Sequence, residues 1–386
     1  MTARASGRIL LSALVLILLT LDAGPVQALD RDEVRRASEL TAGYLMKSQE
    51  EDGLFTYAFD FAKDRPSSKN NVVRQAGAGA VLAEYYVATG DRRVEPALIA
   101  AIEGFAAKSI PYGQGKVMTL NGARRGARIG GTALALLTEL RYHEGSGDNR
   151  FESQRRDWLN GLLAVRVPGG GFWKYPEARE ELSFFNGEAW LALAHYHRMF
   201  PDDEEVRRTL SEIDEIFMKR YGAEEKGGFF LWGLQAAATR YASGAGEALH
   251  RYALEKVRFY LDERRPKFRK NSMHCASMEG LVAVLLALQS DDPINAEYRA
   301  LEGRLRDRVE REMAKHLTFQ IQPGQKKIHH REGVYLYAER LSKFAGAFLT
   351  SRTSNKTRVD FTWHCLSSLV KYGRVLEADG NTPKIQ

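Results

Sequence analysis

Residues 71–91 read NVVRQAGAGAVLAEYYVATGD, and the same pattern returns further down the chain. It opens polar, continues small and apolar, and closes on a turn. Ala76, Ala80, Ala83 and Val87 recur at helical spacing, and Gly90 before Asp91 reads as a helix stop. Clear copies occupy 128–148, 183–203 and 271–292, and a fifth begins at Val359. A weaker copy starts near Leu231, in LWGLQAAATRYASG. Repetition at this period constrains the architecture before any single residue does.

Between the copies lie segments of a second kind, at 30–49, 95–108, 151–165, 204–219, 248–263 and 296–316, each with an apolar stripe and a charged face. A helix that is small and apolar all round suits the inside of a fold; one with a charged face suits the outside. Copies starting at 71, 128 and 183 are 57 and 55 residues apart, room for two helices and two loops. Six inner–outer alternations close into a ring, so the expected class is an all-α (α/α)6 toroid. An open solenoid would keep a tighter period. Gly-rich aromatic loops recur at 49–60, 169–176 (GGGFWKYP) and 227–232 (GGFFLW), and 317–358 reads as short strands or a flap over one end of the ring.

The 386 residues are 44% hydrophobic, enough for one large core. The first 28 differ from the rest. Arg4 and Arg8 precede the uncharged run ILLSALVLILLTL at 9–21, and Val26-Gln27-Ala28 offers a small-x-small cleavage site. This reads as a secretory signal peptide, with 29–386 as the toroid. The expected location is periplasmic or secreted, with no stable membrane span after cleavage. The formal charge of +7 is scattered, and no nucleic-acid motif accompanies it, so nucleic acid is not an expected partner. A basic face toward an acidic polysaccharide is compatible with runs such as Arg264-Arg265-Pro266-Lys267 and Lys326-Lys327.

Small-residue helices alternating with GGF-aromatic loops resemble the six-hairpin glycosidase superfamily, whose relatives include glucuronyl C5-epimerases, N-acylglucosamine 2-epimerases and unsaturated glucuronyl hydrolases. The resemblance covers nearly all of the chain after residue 28. It is one of pattern and period and carries no catalytic residue across. It implies carbohydrate chemistry: a glycoside hydrolase first, a uronate lyase or epimerase second. A non-catalytic polysaccharide-binding or scaffold protein is the competing class. No cofactor is expected.

In a toroid the starts of the inner helices face one end, where their polar residues converge. Glycoside cleavage needs two carboxyl groups, and the candidates are Glu188, Asp360, Glu279 and Asp60. Elimination or epimerisation needs a base and a cation for the sugar carboxylate, a role open to Arg74, His274, His364 and Arg331. Asn186, Trp173 and Tyr175 join Arg74, His274 and His364 as candidate substrate-binding residues, with Phe55, Tyr57, Trp232 and Trp363 as further stacking surfaces. Structural uses compete throughout. Arg74 can pair with a carboxylate, Glu188 suits a first helical turn, Glu279 needs a partner if buried, and Asp360 can be an N-cap.

Cys275 and Cys365 each follow a histidine, at matching places in two successive inner helices. An exported protein favours a disulfide between them. Free buried thiols and a zinc site with His274 and His364 remain open. A metal is the least favoured, because adjacent residues on a helix diverge by about 100°.

Overall fold

The computed structural model describes residues 29–222, 228–262, 274–289, 296–331 and 333–381. Among the described residues twelve α-helices alternate outer and inner: α1 (Arg31–Lys47) and α2 (Val72–Thr89), α3 (Glu95–Ala107) and α4 (Ile129–Ser146), α5 (Glu152–Ala164) and α6 (Ser183–Met199), α7 (Glu204–Arg220) and α8 (Phe229–Ala242), α9 (Glu247–Asp262) and α10 (His274–Gln289), α11 (Ala296–Leu317) and α12 (Val359–Asn381). Each even-numbered helix packs on the even-numbered helices before and after it. α12 returns to α2, and the six close into a ring. The fold is the expected (α/α)6 toroid. The leader expected at 1–28 lies outside the described residues, and within them no helix is long and apolar enough to cross a membrane.

The two helix kinds explain the two layers. In α4 every residue from Ile129 to Tyr142 is buried. In α7 the buried apolar set is a stripe of Val206, Leu210, Ile213 and Phe217, with charge opposite. Inner helices start and stop on local chemistry. The Asn71 side chain accepts from the N–H groups of Val73 and Arg74 at 3.1 and 3.3 Å. Gly90 ends α2 in the left-handed conformation, φ 66°.

The fourth residue of four inner helices holds the loop before it. Gln75 accepts from the Phe55 N–H (2.7 Å), Thr132 from Met118 (3.0 Å), Asn186 from Phe172 (2.8 Å) and Thr362 from Phe348 (3.1 Å). In the last three the loop amide lies 14 residues upstream. Each of these buried loop amides gains the partner it needs.

Two expectations change. The weak copy near Leu231 is a full inner helix, α8, and the aromatic stretch read as a loop at 227–232 is helical from Phe229. Packing decides this: the Phe229 ring stacks on Tyr221 and Trp190, at centroid distances of 3.9 and 5.8 Å. Strands were expected near 317–358, where β5 (Lys327–Arg331), β6 (Val334–Tyr337) and β7 (Lys356–Arg358) lie, but four more occur earlier. These are β1 (Ala58–Asp60), β2 (Arg65–Pro66), β3 (Ser109–Tyr112) and β4 (Gly115–Met118). At two to four residues they are too short to display a period. β1 pairs with β7 through Ala58 and Arg358, fastening the first loop to the start of the last helix.

Between α4 and α5, Glu139 is fully buried 3.5 Å from Arg155. Burial pushes its pKa up to about 8 against the pull of Arg155. The folded protein keeps a proton that the unfolded chain releases, so this residue makes stability fall as pH rises from about 4.5 to about 8. Glu139→Gln should flatten that decline, measured as urea midpoints at several pH values. An equally steep decline in the variant would mean that Glu139 ionises at its ordinary pH.

Candidate active site at the N-terminal mouth of the ring

Three polar assemblies occupy the first two turns of the inner helices. The first is Glu188 on α6. It is 3% exposed, and its Oε2 has no hydrogen-bond partner. The carboxyl lies against Gly130 of α4, where any Cβ would overlap it. Burial, with no opposing cation, pushes its pKa well above the ordinary carboxylate value. Glu188 therefore holds a proton under conditions in which an exposed glutamate has lost it.

The second assembly joins α8, α10 and α12. His364 Nδ1 lies 2.5 Å from Glu279 Oε1, and Gln235 donates to Glu279 Oε2 at 3.3 Å. Burial raises the Glu279 pKa, and His364 opposes the rise. With Nδ1 tied to the carboxyl group, Nε2 is the nitrogen left for chemistry. The ring of the neighbouring Trp363 has its centroid 3.7 Å from that of His364. Gly77 of α2 makes room for this indole, since a Cβ there would come within 2.6 Å of it.

The third is a charged relay at the start of α12. Arg358 reaches both oxygens of Asp360 at 2.5 and 2.8 Å, and Arg74 Nε approaches Oδ2 at 2.9 Å. Arg74 also donates to the Tyr57 hydroxyl. Asp360 lies within the first turn of α12 and is an ion-pair anchor, not its N-cap.

Other candidates have structural partners. Asp60 sits on β1 and accepts from the N–H groups of Ala62 and Lys63, with Lys356 Nζ at 3.3 Å. Burial would raise its pKa, but Lys356 and these backbone donors outweigh it and hold it low. Asn186 is the α6 clamp, and its amide nitrogen donates to Glu181 and to Tyr221. Phe55, Trp232 and Trp363 are 1, 4 and 2% exposed, sealed in the ring, and offer no free face for a sugar. Tyr57, Trp173 and Tyr175 are half-buried and keep that possibility. His274 opens α10, and its side chain, like that of Arg331, lies outside the described residues.

The sulfurs of Cys275 and Cys365 are bonded to each other (1.99 Å), so neither is a thiolate for zinc. Among the described residues no group of three or more His, Cys, Asp or Glu is placed to hold a metal. Sequence reasoning did not single out Arg358 or Gln235 for the site. Arg358 had a signal in its place two residues before Asp360. Gln235 had only its polarity within an apolar helix.

The ring axis is filled at mid-height: a void of about 10 Å³ remains among Gly77, Leu134, Trp232, Gln235 and Glu279. Among the larger cavities of the described residues, two mark the two ends of the ring. One of about 530 Å³ sits on the N-terminal rim, lined by Ala58, Thr350, Lys356, Arg358 and Phe361. The other, about 380 Å³, opens between the C-terminal ends of the inner helices. There Glu84 is paired with Arg141 and Lys371, Glu144 with Arg198, and Glu377 with Arg31. Cations at helix C-termini offset the helix dipoles, which accounts for that end as structure. The unpaired acid and the dyad single out the other.

No protein-family model matches the chain, and no curated protein does. Solved structures do. The GH76A alpha-1,6-mannanase from Salegentibacter sp. HEL1_6 superposes with a TM-score of 0.66 at 11% identity, over 89% of this chain and 99% of that one. A sugar epimerase from a ruminal bacterium gives 0.60 at 13% identity, over 89% and 98%. An unsaturated glucuronyl hydrolase specific for heparin gives 0.59 at 10%, over 90% and 99%. At these identities the likeness is one of fold alone, the (α/α)6 ring.

Proposed function

We propose that this chain is exported and acts on a poly- or oligosaccharide as a glycoside hydrolase, with Glu188 as the proton donor. The observation that carries the reading is the buried, unpartnered Glu188. Cleaving a glycosidic bond needs a carboxyl group that still holds a proton to give to the leaving oxygen. Asp360, ion-paired in the same mouth, is the proposed second carboxylate. Structures sharing the fold include mannanases, one in complex with alpha-1,6-mannotetrose, which supports a carbohydrate ligand. Helix N-termini and Arg74 favour an acidic one. The leader-like segment and the Cys275–Cys365 bridge fit an oxidising, extracytoplasmic compartment.

The His364–Glu279 dyad supports a second reading. A histidine oriented by a carboxylate is a base, and a base beside a sugar carboxylate would remove the C5 proton in elimination or epimerisation. Incubation with acidic and neutral polysaccharides in heavy water separates the readings. Hydrolysis releases reducing ends without carbon-bound deuterium. Elimination adds an absorbing double bond, and epimerisation puts deuterium on carbon. The hydrolase reading expects the first, with His364→Gln retaining most turnover. Deuterium on carbon, lost in His364→Gln, would replace it with the epimerase. Binding without any product would leave a scaffold.

A further inference from the structure

The β5–β6 hairpin carries an aromatic face that the ring does not use. Ile328 is buried and Leu336 half-buried against the core, so the alternate positions Lys327, Tyr335 and Tyr337 are exposed, with His329 half-buried beside them. The register pairs Lys327 with Tyr337 and His329 with Tyr335 across the strands. An outward face is usually polar, yet Tyr335 is 45% and Tyr337 73% exposed. A cation accompanies the rings: Lys327 Nζ lies 4.7 Å from the Tyr335 centroid, and the His329 ring meets Tyr335 edge-on at 5.5 Å. No carboxylate among the described residues pairs with Lys326, Lys327 or His330. The hairpin leads into a 3-10 turn, Glu339–Phe344, whose Phe344 packs on Phe59 of β1 and whose Arg340 pairs with Asp64. β1 also pairs with β7, which leads into α12, so the hairpin is fastened to the frame of the N-terminal mouth.

We propose that this hairpin face is a second carbohydrate-binding surface, outside the ring axis, that takes an anionic polysaccharide. The inference rests on the carbohydrate reading above and deepens it by giving the acidic chain a binding surface of its own outside the mouth. Two tyrosines at i and i+2 stand about 7 Å apart along one strand. That geometry offers two ring faces to successive sugars of an extended chain, while Lys326 and Lys327 meet its carboxylates.

The test is retention of the full protein in gels containing polygalacturonate or neutral mannan. The wild type should be retarded by polygalacturonate and released by salt. The double variant Tyr335→Ala, Tyr337→Ala should bind it about tenfold more weakly. Lys327→Gln should lose part of the salt-sensitive component, and Glu188→Gln should be retained like the wild type. Circular dichroism establishes that each variant is folded. Three outcomes overturn the proposal: equal retention of the wild type and the double variant, no retention of the wild type by polygalacturonate, or a change in sedimentation of the double variant with its retention unaltered, which would mark a protein contact instead. A protein retained through Tyr335 and Tyr337 that releases no product would keep this proposal and overturn the hydrolase reading.

Discussion

Replacing Glu188 with glutamine should lower turnover by about two to four orders of magnitude while making the folded protein more stable at neutral and alkaline pH. The two effects share one cause. Glutamine keeps the shape but has no proton to donate to a leaving oxygen. The folded state keeps the Glu188 proton well above the ordinary glutamate value of 4.5. Above that value the unfolded chain loses the proton and the folded chain does not. Wild-type stability then falls by about 1.4 kcal/mol per pH unit until the folded pKa is reached. Glutamine carries no such penalty, so the variant's advantage should widen with pH. Urea midpoints across a pH series, with kcat measured beside them, check both. Unchanged turnover would remove Glu188 from the chemistry. A variant less stable than the wild type at alkaline pH would mean that Glu188 is an anion with a partner.

Loss of the Cys275–Cys365 bridge should cost roughly 4–5 kcal/mol on the chain-entropy model, because the bond encloses a span of 90 residues. It also holds a register. Cys365 adjoins His364, and Cys275 lies one helical turn before Glu279, so the covalent link and the dyad join α10 to α12 side by side. Replacing both cysteines with serine should lower the thermal midpoint markedly, and reductant should do the same to the wild type. A reductant-insensitive midpoint would show that packing alone holds the two helices together. If the dyad contributes to turnover, the serine variant should lose kcat more than affinity.

The ring was legible because its signal is redundant. Five copies of a small-residue helix, separated by charged amphipathic helices, admit few closed arrangements. α8 was hard to read because its first turn, from Phe229, is as aromatic as the loops. The strands within 317–358 were legible as strands, but their partners were not: β1 pairs with nearby β2 and with β7, some three hundred residues later. The site was legible as an inventory of inner-helix polar residues. Partnership was not, since Glu279 meets His364 only where α10 packs on α12. Nor did the sequence distinguish Glu188, which has no partner, from Asp60, which has several, although both are carboxylates beside aromatic residues. Burial separates them, and burial depends on the closed ring.

The loop clamps on Gln75, Thr132, Asn186 and Thr362 have a consequence for how the molecule breathes. The amide protons of Phe55, Met118, Phe172 and Phe348 are locked by side chains that belong to helix starts. None can exchange with solvent deuterium until its loop parts from the helix that follows. Deuterium uptake at these four amides should therefore be slow and should accelerate together with the first turns of α2, α4, α6 and α12. The frame around the mouth should then loosen in coupled units of one loop and one helix end, not at free loop tips.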